Sequence, residues 1–101
     1  MIRHIVMFQF KDEAEGRSKQ ENIQITKNML DALPEKISWI RSSQTAINSS
    51  NADPNNHDLL LISDFDSFED LQKYIVHPDH KAVGAFMRPV RLNRTCIDIE
   101  I

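Results

Sequence analysis

Residues Ile2 to Phe10 place apolar side chains on both faces of one extended segment. Successive side chains of a strand point to opposite sides, so Ile2, His4, Val6, Phe8 and Phe10 share one face while Arg3, Ile5, Met7 and Gln9 share the other. The segment His57 to Phe65 repeats the property, with Leu59, Leu61 and Phe65 on one side and Leu60 and Ile62 on the other. Antiparallel sheets commonly bury one face and leave the other in water. Strands that are apolar on both faces demand a covering layer on each side of the sheet.

The rest of the chain supplies one such layer. Ile23, Thr26, Leu30 and Leu33, widened by Ile25 and Met29, have helical spacing from about Ser18 to Leu33, where Pro34 is expected to end the helix. The charged stretch Lys11 to Lys19 before it reads as a connection. Ile37, Trp39 and Ile40 open a second strand that continues through Arg41 to Ile47, and Asn48 to Asn56 is a loop by composition. Ser67 is placed to cap a second helix carrying Phe68, Leu71, Tyr74 and Ile75. His77-Pro78 interrupts that helix, and Pro78 suits the first position of a further short helix whose buried side is Val83, Phe86 and Met87. Arg91 to Ile101 is the last strand.

The order is β-α-β-β-α-β, the ferredoxin-like α+β pattern of a four-stranded antiparallel sheet with helices on one face. A chain of 101 residues holds one core, so residues 1–101 are expected to form a single domain. The second apolar face must then be covered from outside the chain. Another copy in a two-fold arrangement is the simplest cover, and a homodimer is expected.

Charge and composition exclude several partners. The net charge is −3 and the 12 basic residues are scattered, which leaves no electrostatic footprint for nucleic acid. No apolar stretch approaches the roughly 20 residues of a membrane span, and the first ten residues, interrupted by Arg3 and His4, lack the form of a signal peptide, so a cytoplasmic location and no membrane contact are expected. The one cysteine, Cys96, is expected to be buried rather than reactive. His77 and His80 lie three apart without an evident third or fourth ligand, so neither a metal nor another cofactor is expected.

Several runs carry a resemblance: Arg3-His4-Ile5-Val6-Met7-Phe8 with Phe10-Lys11, Leu33-Pro34, His57-Asp58-Leu59-Leu60-Leu61 leading to Phe65 and Ser67, Asp98, and above all Tyr74-Ile75-Val76-His77-Pro78-Asp79-His80. Spread in order over nearly the whole chain, they resemble the stress-responsive A/B barrel, or dimeric α+β barrel, family. The resemblance implies two sheets packed face to face into a barrel and a small pocket in each subunit between sheet and helices. Many members have no known reaction, but a plant polyketide cyclase of this family uses the histidine matching His80 as base, assisted by the tyrosine matching Tyr74. The chain departs from that cyclase at Leu59, where the cyclase has a histidine. The histidine here, His57, lies two residues earlier. Some members also hold a cation on carbonyls at the end of the first helix, corresponding to Leu30, Leu33 and Lys36; the pattern of haem-degrading relatives is not found.

Residue chemistry leads to the same cluster. An imidazole titrates near neutrality, which makes His80 a candidate general base, with Tyr74 across the helix break as a hydrogen-bond donor to a carbonyl or enolate. His4, His77, Phe8 and Phe86 are the expected substrate-binding residues around them. Each also has a structural reading: His77 as a helix cap, Tyr74 as a core residue, His4 as a hydrogen-bonded core histidine. Three functions stand open. The chain binds a small apolar carbonyl compound without turning it over, or acts as a cyclase-like lyase through His80 and Tyr74, or is a ligand-free dimeric scaffold in which Phe8, Phe86 and Met87 fill the pocket. A cavity of several hundred cubic ångströms where His4, Tyr74 and His80 converge would mark a ligand site.

Overall fold

The computed structural model describes all residues from Met1 to Ile101. Strand β1 (Ile2–Phe10) lies in the interior of the sheet, where its doubly apolar pattern belongs. It pairs antiparallel with β5 (Leu59–Phe65) and β6 (Arg91–Glu100), and β4 (Ser42–Ile47) pairs with the far side of β5, giving the order β4-β5-β1-β6. The even residues of β1 and the odd residues of β5 face the helices and are buried, Val6 to 1% and Phe65 to 0% exposure. Together with Leu30, Leu33, Leu71, Tyr74, Val83 and Met87 they form one apolar core.

Between β1 and the first helix the charged connection folds as a tight hairpin, β2 (Glu13–Ala14) and β3 (Arg17–Ser18). Its turn residues Glu15 and Gly16 have φ of 54° and 74°. Positive φ at both central positions matches the twist of a two-residue hairpin turn and is tolerated by Gly, which explains why Gly16, one of only 2 glycines, sits here.

Helix α1 (Lys19–Lys36) starts at a reciprocal cap: the Glu21 amide donates to the Ser18 hydroxyl at 3.2 Å and the Ser18 amide donates to the Glu21 carboxylate at 3.2 Å. The helix does not stop at Pro34. Proline there removes only the amide that would reach the Leu30 carbonyl, in the last turn, and the helix closes when the Ile37 amide donates to the Leu33 carbonyl at 2.9 Å. The expected second strand accordingly begins late. Ile37 is fully buried as the cap, Ile40 closes a turn on Ile37, the Trp39 indole donates to the Asp70 carbonyl at 3.0 Å, and extended pairing starts only at Ser42.

The strand expected from His57 begins at Leu59 because Asp58 is committed to holding the end of β1. Its amide donates to the Phe8 carbonyl at 2.8 Å and its carboxylate accepts the Phe10 amide at 2.8 Å. Helix α2 (Phe68–Ile75) is capped by Ser67, and α3 (Pro78–Met87) restarts at Pro78.

The face of the sheet away from the helices carries Ile5 and Met7 of β1, Leu60 and Ile62 of β5, Ala46 of β4, and Ile97 and Ile99 of β6, all brought together by the register. Nothing in the chain covers it. Met7 is 41% and Ile97 59% exposed. One end of this face is closed by an ion pair in which the Arg3 guanidinium grips Asp64 through two bonds of 2.9 and 3.0 Å, which holds the Asp64 carboxyl below its ordinary range.

Candidate functional site

The interruption between α2 and α3 sets the site. His77, with extended backbone, is the cap of α3: its Nδ1 accepts the Asp79 amide at 3.1 Å and its ring lies edge-on to Trp39 at 5.8 Å. That bond places His77 outside the cavity described below, as a helix cap. His80, one turn on, points the other way. Its Nδ1 meets the Ile75 carbonyl at 3.1 Å across the break. A carbonyl only accepts, so Nδ1 carries the proton and Nε2 of the neutral ring keeps a free lone pair. Burial is the main cause that lowers the His80 pKa, and the charges of His4, Arg94 and His77 act in the same direction against the opposing bond to Ile75. The ring is therefore neutral and basic at physiological pH.

Tyr74 is 1% exposed, and its ring packs on Phe65, His80 and His4 at centroid separations of 4.9, 4.4 and 6.2 Å. Burial pushes its phenol far above the ordinary value, so the hydroxyl stays protonated and is a donor. His4, 2% exposed, sits directly opposite Asp98 in the β1–β6 register, and its Nδ1 lies 2.5 Å from the Asp98 carboxylate. The structure thus brings His4, Tyr74 and His80 into one cluster.

A cavity of about 70 Å³ opens beside this cluster, between the sheet and α3. His4, Val6, Phe8 and Leu61 form its sheet wall, and His80, Val83 and Met87 its helix wall. Phe8 lines it, whereas Tyr74, expected in the lining, is packed behind His80 and is not part of it, and Phe86, half-buried against the core, packs under the Arg17 guanidinium, 5.0 Å from the ring centroid. The volume is neither the several hundred cubic ångströms that would seat a large ligand nor a filled core. It corresponds to about two waters or a few heavy atoms. A larger hollow of about 420 Å³, lined by Met7, Ala46, Leu60 and His57, lies where the uncovered sheet face meets the loop after β4. The histidine–tyrosine cluster is absent from it.

Cys96 is exposed, contrary to the burial expected for a lone cysteine, because the helices leave their side of the edge strand β6 bare. Partial burial and Asp98 raise its thiol pKa. His4 Nδ1, Cys96 Sγ and an Asp98 oxygen lie within 4.8 Å of one another. The 2.5 Å approach of His4 to Asp98 is a hydrogen bond, since two ligands about 2 Å from one tetrahedral ion sit roughly 3.3 Å apart. At the end of α1 the Leu33 carbonyl is occupied by the Ile37 amide. Two charged cavity residues escaped the sequence reading, Arg91 and Arg94 of β6. The signal was present: Arg94, Cys96 and Asp98 alternate on the face that His4 shares.

Comparison with known proteins adds three likenesses. Over 89 residues the chain is 25% identical to olivetolic acid cyclase of Cannabis sativa, covering 86% of this chain and 83% of that protein. A dimeric protein of unknown function and ferredoxin-like fold from Bacteroides fragilis superposes with a TM-score of 0.86 at 32% identity, over 99% of this chain and 95% of that one. The hydroxynitrile lyase of Passiflora edulis, at 14% identity and TM-score 0.80 over 99% and 92% of the two chains, shares the fold. Residues 2–101 match the stress responsive A/B barrel domain, and with the sheet, the broken helix and the sequence likeness in agreement, it is to this family that the chain belongs.

Proposed function

We propose that the chain is a homodimeric enzyme of the lyase or cyclase kind that moves a proton on a small carbonyl compound, with His80 Nε2 as general base and the Tyr74 hydroxyl as donor to the developing enolate. The observation that carries this reading is the bond from His80 Nδ1 to the Ile75 carbonyl, which leaves Nε2 as an acceptor beside a cavity and next to a phenol that stays protonated. A base and a donor with pKa values driven apart by burial are the pair that carbon-acid chemistry needs. The likeness to a cyclase supports the same assignment. The apolar residue at Leu59 and the small cavity argue for a compact substrate rather than a long polyketide. For the dimer, the support is the uncovered apolar sheet face and the dimeric state of the Bacteroides fragilis relative.

The experiment is exchange of methyl protons of pyruvate and of butanone in heavy water, followed by proton NMR. Exchange accelerated by wild type and returned to the uncatalysed rate by His80→Ala supports the reading. A wild-type rate equal to buffer with both compounds would sink it. A binding module without turnover would use the same cavity lining. Saturable shifts of the site's resonances without exchange would be its signature.

A further inference from the structure

We propose that the substrate of this site is an anion, a small oxo acid whose carboxylate is held by Arg94, with Arg91 beside it at the cavity mouth. The inference rests on the proton-transfer reading only for the word substrate; the anion preference has its own observations.

The first is the lining. Two guanidinium groups, Arg91 and Arg94, border the same cavity as His4 and His80, and no carboxylate lines it. The nearest acid on that face of β6, Asp98, is already bonded to His4 at 2.5 Å.

The second is how the other arginines are treated. Arg3 is gripped by Asp64 and Arg41 by Asp66, each through two bonds, and Arg17 donates to Asn22 at 2.7 Å, while Arg88, exposed after α3, is unpaired but lines no part of this cavity. Arg91 and Arg94 enter no ion pair, in a chain whose acids outnumber its bases by 15 to 12. Lone guanidinium forks at an apolar recess are suited to bidentate capture of a planar carboxylate.

The third is size. A volume of about 70 Å³ admits only a few heavy atoms, and apolar burial of so little surface gives weak affinity. A charged anchor at the mouth compensates for that, and it would hold the carbonyl a bond or two further in, between the walls that carry His4 and His80. Arg94 and His80 line the same cavity, so one small bound molecule can meet both.

The test compares pyruvate with butanone, a neutral methyl ketone of similar size, by titrating each into the protein and following the His80 Cε1 proton by NMR at low and high salt. The expected result is saturable pyruvate binding at least tenfold tighter than butanone, weakened by salt, and weakened at least tenfold in Arg94→Leu. Arg94→Lys, which keeps the charge and loses the fork, is expected to fall between. Arg94 is exposed, and unchanged circular dichroism of the variants checks that they fold. Butanone binding as tightly as pyruvate, pyruvate binding unaltered in Arg94→Leu, or no binding of either would overturn the anion assignment. Exchange catalysed on butanone but not pyruvate would keep the proton-transfer reading and overturn this one. Arginine-dependent binding of pyruvate without exchange would do the reverse.

Discussion

At the scale of single residues, the helix break assigns different tasks to two histidines three positions apart. His77 Nδ1 accepts a backbone amide, His80 Nδ1 donates to a backbone carbonyl, and only His80 lines the cavity. The depressed His80 pKa has two consequences. Exchange catalysed by the neutral ring should fall as pH drops through the folded-state pKa, which lies below 6.5, and be flat above it. The same shift means that the folded chain binds fewer protons than the unfolded one in that window, so stability is full above about pH 6.5 and declines as the pH falls toward the lower folded value. Thermal melts from about pH 7 to 5 should show this decline, and His80→Gln should remove that part of it. Tyr74→Phe tests the phenol separately. Burial rather than a hydrogen bond raises its pKa, so urea unfolding should change by less than about 1 kcal/mol while exchange slows at least tenfold.

Among the elements, the strands were the most readable in the sequence and the connections the least. Period-two alternation located β1, β5 and β6 and sorted the side chains of β1 and β5 into two faces, but with both faces apolar it left open which of them met the helices. Pro34 misled because the penalty of an interior proline shrinks near a helix end, and local spacing does not say how far the end lies. Ile37, Trp39 and Ile40 look like strand residues, yet they are apolar because they pack at the helix end and over α2, a tertiary requirement invisible along the chain. The hairpin at Glu13–Ser18 carries Glu-Gly rather than the usual Asn-Gly or Asp-Gly turn signal. For the site, the Tyr74 and His80 types and spacing were legible, while the Arg94 position required knowing that β6 lies beside β1 and is bare on its helix side. The capping reading has a plain check. Ser18→Ala should destabilise the protein by about 1 kcal/mol in urea, through loss of the hydroxyl that accepts the Glu21 amide.

For the whole molecule, the uncovered face governs assembly. Ile97 is 59% exposed in one chain, and an exposed residue of a monomer usually tolerates a charge within about 0.5 kcal/mol. If two sheets close on each other, Ile97→Glu buries that charge in the interface. Sedimentation equilibrium at micromolar concentration should then show wild type at twice the chain mass and the variant shifted toward the monomer. An unchanged mass for the variant, or a monomeric wild type, would count against the face as the dimer contact. The histidine–tyrosine cluster lies on the opposite side of the sheet, so loss of the dimer should affect it only through the stability of the sheet.

The carbonyl that orients His80 belongs to the backbone, and no substitution at Ile75 can delete it. Around the cavity the situation is reversed. Val83, Leu61 and Arg94 are replaceable, and a methyl group added at Gly84 would meet nothing within 4 Å. Such a site is evolvable in one direction: mutation can redraw the outline of the guest while the means of holding the base is inherited unchanged with the fold.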